Sequence, residues 1–248
     1  MFNYSKYLII DSKMRNIEKQ YLKSLNKYNI IDICKNNNLY EEISSHVDIS
    51  VLKINNNIII EPLAFENLNS NIITNKEINN YKLIIGDVTH KDKYPFDIAY
   101  NVCIIGNYAI HNFKYTSKKV LEILKKESFN LINVEQGYTN CSIAVIDDNS
   151  LIINDRGLYK ILSKYNFDIL FIEEELDIKL LKNNLTYSLK KGFIGGCISR
   201  IENKVIIFGD IDRIDKNSKI SNFIKNRGLE IIDFKGLDVV DYGGIVVI

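Results

Sequence analysis

Five short segments of this chain contain residue types that enzymes use for nucleophilic and acid–base chemistry. A thiolate is a strong nucleophile when an imidazole lies beside it, and paired carboxylates can hold a cationic group. Closely spaced glycines let a ligand approach the backbone. The segments are His46-Val47-Asp48, 97–101, 135–141, Gly195-Gly196-Cys197 and 241–244. They are far apart in the sequence, so they form one site only if the fold brings them together.

The elements that must position these segments follow from a pattern that the chain repeats five times. The copies are KYLIIDSK, NIIIEPLA, YAIHNFKY, SLIINDRG and KVIIFGDI, and in each a branched apolar run ends on a polar or acidic residue. With Leu8, Ile58, Ala109, Leu151 and Val205 taken as equivalent, the intervals are 50, 51, 42 and 54 residues. Such a period indicates a propeller, a solenoid or another repeat array.

Each repeat predicts a unit of strand, strand, helix and strand. Turns rich in Asn and Asp, such as 55–57 and 147–150, favour a hairpin between the first two strands. Apolar residues three and four apart then predict a helix before the third strand. Among the first strands the sequence predicts 48–54, 141–146 and 197–201, so that Asp48, Cys141 and Cys197 each begin a strand.

The two ends of the chain complete each other. The run at 7–10 has no hairpin partner before it, and the segment 241–248 has none after it. Pairing between them closes the array into a ring and removes an exposed strand edge. A linear array would instead need polar caps, and the last three residues are apolar. The sequence therefore predicts one α/β domain over residues 1–248, a five-bladed β/α-propeller whose first strands lead into the mouth of a central channel.

This arrangement resembles the pentein fold of the guanidine-modifying enzymes, which include arginine and agmatine deiminases, amidinotransferases and dimethylargininases. His46-Val47-Asp48 is similar to the HxD motif of the deiminases. Gly195-Gly196-Cys197 and 137–141 are similar to their glycine-led cysteine strand, and Glu135-Gln136-Gly137 to an EGG strand opening. The chain also resembles an uncharacterised group of bacterial proteins of this fold, which have QGYxxC and DxGG segments.

The resemblance implies a thiol-dependent hydrolase or transferase that acts on a small cationic guanidine or amidine. His46 would then be the general acid and base, and Asp48 or Glu135 would bind the substrate cation. A nearby imidazolium would lower the pKa of the thiol. The remaining predicted substrate-binding residues are Asn140, Asp241, Gly195, Gly196, Gly243 and Gly244.

Two cysteines compete for the role of nucleophile. In the family the cysteine unit lies two units after the histidine unit, and counting from His46 this selects Cys141. Cys197 lies three units on and has the better glycine motif. We favour Cys141 and retain Cys197 as the alternative. Cys34 and Cys103 lie in or beside apolar runs and are expected to be small buried hydrophobes.

Composition argues against several other classes of function. The hydrophobic fraction of 46% and charged fraction of 25% are those of an ordinary globular protein. A net charge of +1 without a basic run argues against a nucleic-acid partner. No apolar stretch approaches the roughly 18 residues of a membrane span, and the apolar N-terminal part is too short for a signal peptide, so we expect a cytoplasmic protein. The three histidines lack ligand spacing, so neither a metal nor another cofactor is expected.

A second class of function stays open at this point. The pentein fold also has a non-enzymatic member, the ribosome anti-association factor, so the chain could be a binding module or a small-molecule binder. An enzyme requires Cys and His within reach of one bound carbon atom, and a scaffold requires neither. The positions of Cys141, Cys197 and His46 around the channel therefore discriminate between the two classes.

Overall fold

The computed structural model describes residues 6–68, 77–78, 80–183 and 186–248. Within these ranges the chain forms five units of strand, strand, helix and strand, which we call blades 1 to 5, together with one additional sheet. The strands in the first half of the chain are β1 (Lys6–Asp11), β2 (Tyr28–Ile33), β3 (Val51–Ile54), β4 (Asn57–Ile60), β5 (Glu77–Ile78), β6 (Tyr81–Ile85), β7 (Cys103–Ile105), β8 (Tyr108–His111) and β9 (Asn130–Asn133).

The second half of the chain continues the same order. Its strands are β10 (Ile143–Val145), β11 (Ser150–Ile153), β12 (Asp168–Phe171), β13 (Ile178–Asn183), β14 (Thr186–Lys191), β15 (Ile198–Ile201), β16 (Lys204–Ile207), β17 (Glu230–Ile232), β18 (Val239–Asp241) and β19 (Val246–Val247). The helices are α1 (Asn16–Ser24), α2 (Val47–Ser50), α3 (Pro62–Glu66), α4 (Lys118–Lys126), α5 (Thr139–Ser142), α6 (Arg156–Leu162), α7 (Ile194–Cys197) and α8 (Lys219–Lys225), with 3₁₀ turns at Glu41–Ile43 and Ile211–Arg213.

Blade 1 consists of β19, β1 and β2, blade 2 of β3 to β6, blade 3 of β7 to β9, blade 4 of β10 to β12 and blade 5 of β15 to β17. All five blades share one topology. The first two strands are paired antiparallel, and the third lies parallel to the second after a helical crossover, as in β10–β11–α6–β12. Blade 1 takes its first strand from the other end of the chain. There β19 pairs antiparallel with β1, with Leu8 opposite Val247 and Ile9 opposite Val246. The predicted fivefold repeat and the ring closure are confirmed.

The predicted pairing of the segment 241–248 with the run at 7–10 is wrong in its extent, since only the end of this segment pairs there. β18 ends at Asp241 and pairs parallel with β13 in the additional sheet, and β19 begins only at Val246. Gly243 and Gly244, each with a φ of +68°, separate the two strands. A left-handed backbone cannot continue a strand, and glycine adopts it without steric cost.

In three blades the predicted starting residue of the first strand is also wrong. Each strand is preceded by a single helical turn, namely α2, α5 and α7. His46 occupies the N-cap position of α2 without a side-chain capping hydrogen bond, whereas Asp48, Cys141 and Cys197 lie within the turns. Four residues are too few for a helical period to appear in the sequence, so periodicity could not separate these turns from the strands that follow.

The apolar runs are continuous because the second strand of each blade is buried on both faces. Leu8 and Ile10 pack with Ile206 of blade 5, whereas Ile9 between them packs with Ile58 of blade 2. Equivalent clusters join blades 2 and 3, 3 and 4, and 4 and 5. Alternate side chains of a strand point to opposite faces, so each central strand contributes to two interfaces between blades.

The additional sheet was not anticipated from the repeat. β13 and β14 form a hairpin inserted between blades 4 and 5, and β13 lies against the 3₁₀ turn Glu41–Ile43. This hairpin supplies part of the wall of the candidate site described below. None of the helices in the described ranges has the length and hydrophobicity that a membrane span requires.

Candidate active site

The leading turns of the blades meet at the axis of the ring. The Asp48 amide donates a hydrogen bond to the Gly243 carbonyl oxygen at 3.1 Å. The amides of Tyr242 and Gly244 both donate to the Gly196 carbonyl oxygen at 3.0 Å. The Asn140 amide donates to the side-chain oxygen of Asn101 at 2.8 Å. Segments that lie 39 to 195 residues apart in the sequence are therefore in direct contact.

A cavity of about 130 Å³ opens beside these turns. Its deepest residues are His46, Cys141 and Asp241, each at most 2% exposed. Its apolar wall consists of Tyr40, Ile43, Tyr138, Leu180 and Phe193, and its charged rim of Glu42, Lys190 and Lys191. A thiol, an imidazole and a carboxyl group thus line the same cavity.

Cys141 is held at the cavity wall by Asn101. The amide nitrogen of the Asn101 side chain donates to Sγ at 3.1 Å, and its oxygen accepts from the backbone amides of Asn140 and Cys141. Burial, followed by the negative charges of Asp48 and Asp241, raises the pKa of the Cys141 thiol well above its usual value. In the ligand-free protein this thiol is therefore protonated at neutral pH.

Asp48 lies beside the Cys141 thiol and is 2% exposed. Burial raises the pKa of this carboxyl group to about 6, although the nearby thiol and the Asn101 amide partly offset the effect. Within the described residues neither carboxylate oxygen has a hydrogen-bond partner of good geometry. A buried carboxylate without donors is costly, so a ligand that brings N–H donors is favoured here.

Asp241 and His46 form the other side of the base of the cavity. The Asp241 carboxylate accepts hydrogen bonds from the amides of Phe193 at 2.8 Å and Gly243 at 2.9 Å. Burial, reinforced by the charge of Asp48, raises the Asp241 pKa to about 7. The His46 ring lies with Nδ1 3.7 Å from Asp241 Oδ1 and Nε2 3.9 Å from Asp11 Oδ2.

The imidazole of His46 is neutral at physiological pH. Burial, with a smaller effect of the Lys13 charge, lowers its pKa to about 3. The expectation that an imidazolium lowers the pKa of the axial thiol is therefore wrong for the ligand-free protein. Burial is the largest cause of both shifts, the lowered pKa of His46 and the raised pKa of Cys141, because it disfavours the charged form of each group.

Cys197 occupies a different environment. It ends α7 in the cluster between blades 4 and 5, and its Sγ donates to the Ile194 carbonyl oxygen at 3.3 Å. Burial, and then the Asp241 charge, raises the pKa of its thiol well above the usual value. Cys197 is not among the residues that line the axial cavity in the described structure.

Glu135 also lies away from the axial cavity. Its side chain is exposed and lines a separate surface cavity with Gln136 and Asp155. It follows β9 and precedes the axial turn α5, so the chain has not yet reached the axis at this position. Asn140 is half-buried, and its described contact with the site is the backbone hydrogen bond to Asn101.

The predicted glycines serve close packing between the turns. A Cβ on Gly195 would lie 2.2 Å from the Asn140 carbonyl oxygen and 2.6 Å from that of Cys141. Gly243 has a φ of +68° and lies against Asp48 and His46. Gly196 lies against the Asp241 carboxylate and Gly244 beside Ser199.

Several residues of the candidate site were not predicted from the sequence. Asp11 lies behind His46 and accepts hydrogen bonds from Ser45 Oγ and the Lys13 amide, both at 2.6 Å. In the sequence Asp11 stands out only as the acidic residue on which the first apolar run ends. Asn101 lies in one of the five segments but was not singled out. Tyr40, Leu180 and Lys190 lie outside the repeated units, so the repeat gave no reason to select them.

The other two cysteines are outside the site. Cys103 is fully buried between blades 3 and 4, as expected. Cys34 is exposed, so its predicted burial is wrong. It follows the last residue of β2, where the alternation of buried positions in the strand has ended. No group of three or more His, Cys, Asp or Glu is placed to hold a metal ion in the part of the chain that the structure describes.

A family model described as "Family of unknown function (DUF6873)" matches residues 9–246. The chain belongs to this family. Among curated proteins, none matches the sequence.

Solved structures similar to this DUF6873 protein share its fold. The dimethylarginine dimethylaminohydrolase of Pseudomonas aeruginosa, complexed with citrulline, has a TM-score of 0.55 and 12% identity, over 94% of this chain and 91% of that one. An amidinotransferase from Microseira wollei has a TM-score of 0.52 and 10% identity, over 93% and 78%. Agmatine deiminase of C. jejuni has a TM-score of 0.50 and 11% identity, over 96% and 89%. The DUF6873 protein has the pentein fold.

The base of the cavity in this family member is electrostatically suited to a cation. Burial raises the pKa of three carboxyl groups around this base, Asp11, Asp48 and Asp241, of which Asp241 is the one that lines the described cavity. The charge of Asp11 adds to the raised pKa of Asp48, the charges of Asp48 and Asp11 add to that of Asp241, and the imidazole of His46 is neutral. Lys13 provides a positive charge nearby, but its Nζ donates to the carbonyl oxygens of Glu41, Glu42 and Leu181. A cationic ligand would relieve the repulsion among the carboxylates.

Proposed function

We propose that this protein is a cysteine-dependent enzyme that hydrolyses a small guanidinium or amidinium compound or transfers its amidino group. The supporting observation is that Cys141, His46 and Asp241 line one buried cavity, with the Asp48 carboxylate beside the thiol. Structurally similar proteins are named as a dimethylaminohydrolase, a deiminase and an amidinotransferase. Their names describe reactions at a guanidine carbon, which is the chemistry that this residue set can perform.

Asp48 and Asp241 would bind the cationic head of the substrate. A guanidinium group presents N–H donors in a planar arrangement that matches carboxylate oxygens. Asp48 lies beside the thiol, and neither of its carboxylate oxygens has a hydrogen-bond partner of good geometry in the described residues. A guanidinium bound there places its carbon next to Sγ of Cys141.

The bound cation would also activate the nucleophile. The charges of Asp48 and Asp241 contribute to the raised pKa of Cys141, and a cation between these groups offsets their effect. The thiol proton then passes to the neutral imidazole of His46, and the Asn101 amide stabilises the thiolate through its hydrogen bond to Sγ.

The reaction would proceed in two balanced steps. The thiolate attacks the guanidinium carbon, a C–S bond forms, and the C–N bond to the leaving amine breaks as that amine takes the proton from His46. Water, deprotonated by His46, then attacks the same carbon and releases a ureido product and the thiolate. An amine in place of water would give amidino transfer.

The test is turnover together with detection of the covalent intermediate. The purified protein is incubated with arginine, agmatine, dimethylarginine and guanidinoacetate, and ureido product and released amine are quantified. Acid quenching followed by peptide mass spectrometry should find an amidino adduct on the peptide that contains Cys141 and none on the Cys197 peptide. Absence of turnover and of adduct with every guanidine would refute the enzymatic proposal.

A second candidate is binding of the same cations without catalysis. It is favoured by the raised pKa of Cys141 and the lowered pKa of His46, which leave both groups neutral in the ligand-free protein. Calorimetric binding of a guanidine with no product after prolonged incubation would support this candidate over the enzyme.

A further inference from the structure

Two segments outside the repeated unit form one wall of the axial cavity. One is the 3₁₀ turn Glu41–Ile43, which contributes Glu42 and Ile43 to the lining. The other is the hairpin of β13 and β14, from which Leu180 lines the same space. The turn and the hairpin are far apart in the sequence, so this wall depends on the contacts that join them.

The side chain of Lys13 joins these two segments. Its Nζ donates to the carbonyl oxygens of Glu41 and Glu42, both at 2.7 Å, and to that of Leu181 at 3.2 Å. An ammonium group has three N–H donors, so these acceptors use its full capacity. Because the acceptors belong to the backbone, the contacts fix the path of both chain segments and not only their side chains.

Two other contacts between the turn and the hairpin are weaker. Ser188 Oγ donates to Glu42 Oε1 at 2.8 Å, and Lys190 Nζ lies 3.6 Å from the same oxygen. The Lys190 side chain is 60% exposed, and exposed ion pairs contribute little to stability. Lys13 is half-buried, where hydrogen bonds from a charged group contribute more. Lys13 is therefore the residue expected to hold this wall together.

Lys13 also connects the wall to the base of the cavity. Its backbone amide donates to Asp11 Oδ1 at 2.6 Å, and Asp11 Oδ2 lies 3.9 Å from His46 Nε2. The backbone of Lys13 thus contacts the base, and its ammonium group contacts the wall. A substitution of the side chain keeps the backbone hydrogen bond and removes only the contacts of the ammonium group.

We propose that Lys13 is a positioning residue of the axial cavity, whose ammonium group holds the turn Glu41–Ile43 against β13 and so keeps the wall closed beside Cys141. The blades are held by their own apolar clusters, to which Lys13 does not belong. Loss of the ammonium group should therefore open the wall locally and leave the ring intact. The inference rests on the proposed function in taking this cavity as the reactive site, but its test requires no turnover.

Alkylation of Cys141 in Lys13→Met measures this opening. Iodoacetamide reaches a buried thiol only when its surroundings open, so the rate follows the population of the open state. We expect Cys141 to react about tenfold faster in the variant, because the loss of hydrogen bonds from one charged group shifts such an equilibrium by this factor. Removal of a positive charge does not favour the thiolate, so a faster reaction reports access and not a lower pKa.

Two further variants show whether the effect belongs to this ammonium group. Lys13→Arg keeps the charge and several N–H donors, and it should return the rate towards that of the unmodified protein. Lys53→Met is the matched control, because Lys53 is also half-buried and donates to the Val247 carbonyl oxygen at 2.7 Å, but it does not line the described cavity. This variant should leave the labelling of Cys141 unchanged.

Cys103 and Cys197 report the stability of the ring, because they are buried in the clusters between blades. Their labelling should not change in Lys13→Met. An equal acceleration at all three buried cysteines would show that the whole ring is destabilised and would overturn the inference. Should Lys13→Met not fold, Lys13→Gln, which lacks the charge but keeps an amide donor, is read in the same way.

Labelling and turnover separate this inference from the proposed function. A rate at Cys141 that is unchanged in Lys13→Met, or that is raised equally in Lys53→Met or Lys13→Arg, would overturn the inference even if the protein turns over guanidines. Selective acceleration at Cys141 in Lys13→Met would support the inference even if no guanidine is a substrate.

Discussion

Cys141 and Cys197 lie in the same kind of helical turn at the axis of the ring, yet their surroundings differ. Cys141 lies at a cavity wall, where Asn101 donates to its sulfur and the Asp48 carboxylate lies beside it. Cys197 lies among aliphatic side chains and donates to the carbonyl oxygen of its own turn. Both thiols are buried, and in both the pKa is raised. The better glycine motif belongs to Cys197, so the motif by itself does not show which cysteine lines the cavity.

The difference arises from what each turn faces. The Cys141 turn faces the inserted hairpin across the cavity, and Leu180 and Phe193 line the same space. The Cys197 turn is packed between the Cys141 turn and β18. Gly195 and Gly196 allow this packing, because any side chain there would meet backbone oxygens or the Asp241 carboxylate. The glycines next to Cys197 therefore support the site around Cys141.

The largest expected difference between the two cysteines is in turnover. Cys141→Ser should lower kcat by about 10³-fold or more, because a serine hydroxyl without a stronger base is a poor nucleophile. Cys197→Ser should retain most of the activity, since this residue does not reach the cavity. Both are measured as ureido product per minute with the same guanidine. Equal losses in the two variants would contradict the assignment of Cys141 as nucleophile.

The second-largest expected effect is on the stability of the protein and concerns the contact between the Cys141 turn and the Cys197 turn. Gly195→Ala should lower the free energy of unfolding by about 3 kcal/mol, because the new Cβ would overlap three backbone oxygens that cannot move independently. Chemical denaturation measures the change. Gly157→Ala, in α6, is the control and should change stability by less than about 1 kcal/mol, since its nearest contact is a side-chain oxygen at 3.1 Å. A tolerated Gly195→Ala would show that the turns are not closely packed.

Asp48 should make the ligand-free protein less stable as the pH rises. The folded-state pKa values of Asp48 and Asp241 are raised to about 6 and 7, so the folded protein holds protons that the unfolded chain releases above about pH 4. The contribution of these two groups to the free energy of unfolding therefore falls as the pH rises from about 4 to 7. His46, with its pKa lowered to about 3, opposes this fall up to about pH 6.5.

Asp48→Asn tests this pH dependence. At pH 8 the variant should be more stable than the unmodified protein by about 1–2 kcal/mol, and at pH 4 the two should be similar. Thermal unfolding at both pH values measures the difference. A saturating guanidine should remove the advantage at pH 8, because it compensates the Asp48 charge in the unmodified protein. Equal stability of the two proteins at pH 8 without ligand would contradict an unpaired Asp48 carboxylate.

The smallest effect concerns the rate of thiol alkylation. Asp48→Asn should increase iodoacetamide labelling of Cys141 at pH 8 by about tenfold, since each unit by which the pKa falls increases the thiolate fraction tenfold. Labelling of Cys197 should not change, because the raised pKa of this thiol results from burial and Asp241. Cys34, which is exposed, serves as the internal standard. An equal increase at both buried cysteines would show that Asp48 does not act on Cys141 specifically.

The architecture was predictable because the repeat is a local property of the sequence. A strand between two neighbours is apolar on both faces, so Ile58, Ile59 and Ile60 appear as one continuous run. The polar residues that precede the first strands could then be assigned to the axis. The same reasoning failed for Glu135, which lies too far before its axial turn, and for Cys34, which lies beyond its strand.

Two features of the site had no counterpart in the repeat. The hairpin of β13 and β14 occurs in one interval only, so the chain offered no second copy with which to recognise it. Asp11 and Asn101 are ordinary turn residues in the sequence. They become site residues because their side chains lie against His46 and Cys141, which are 35 and 40 residues away along the chain.

The sequence by itself determined the fivefold repeat, the closure of the ring and the set of turns that reach its axis. These features depend on the hydrophobic periodicity and turn chemistry of each segment, which can be recognised locally. The tertiary structure decided that Cys141 and not Cys197 lines the cavity, that His46 is neutral, and that carboxyl groups lie around the base of this cavity. Those properties depend on desolvation and on the distances between charged groups of several blades. These distances are set only when the blades pack together.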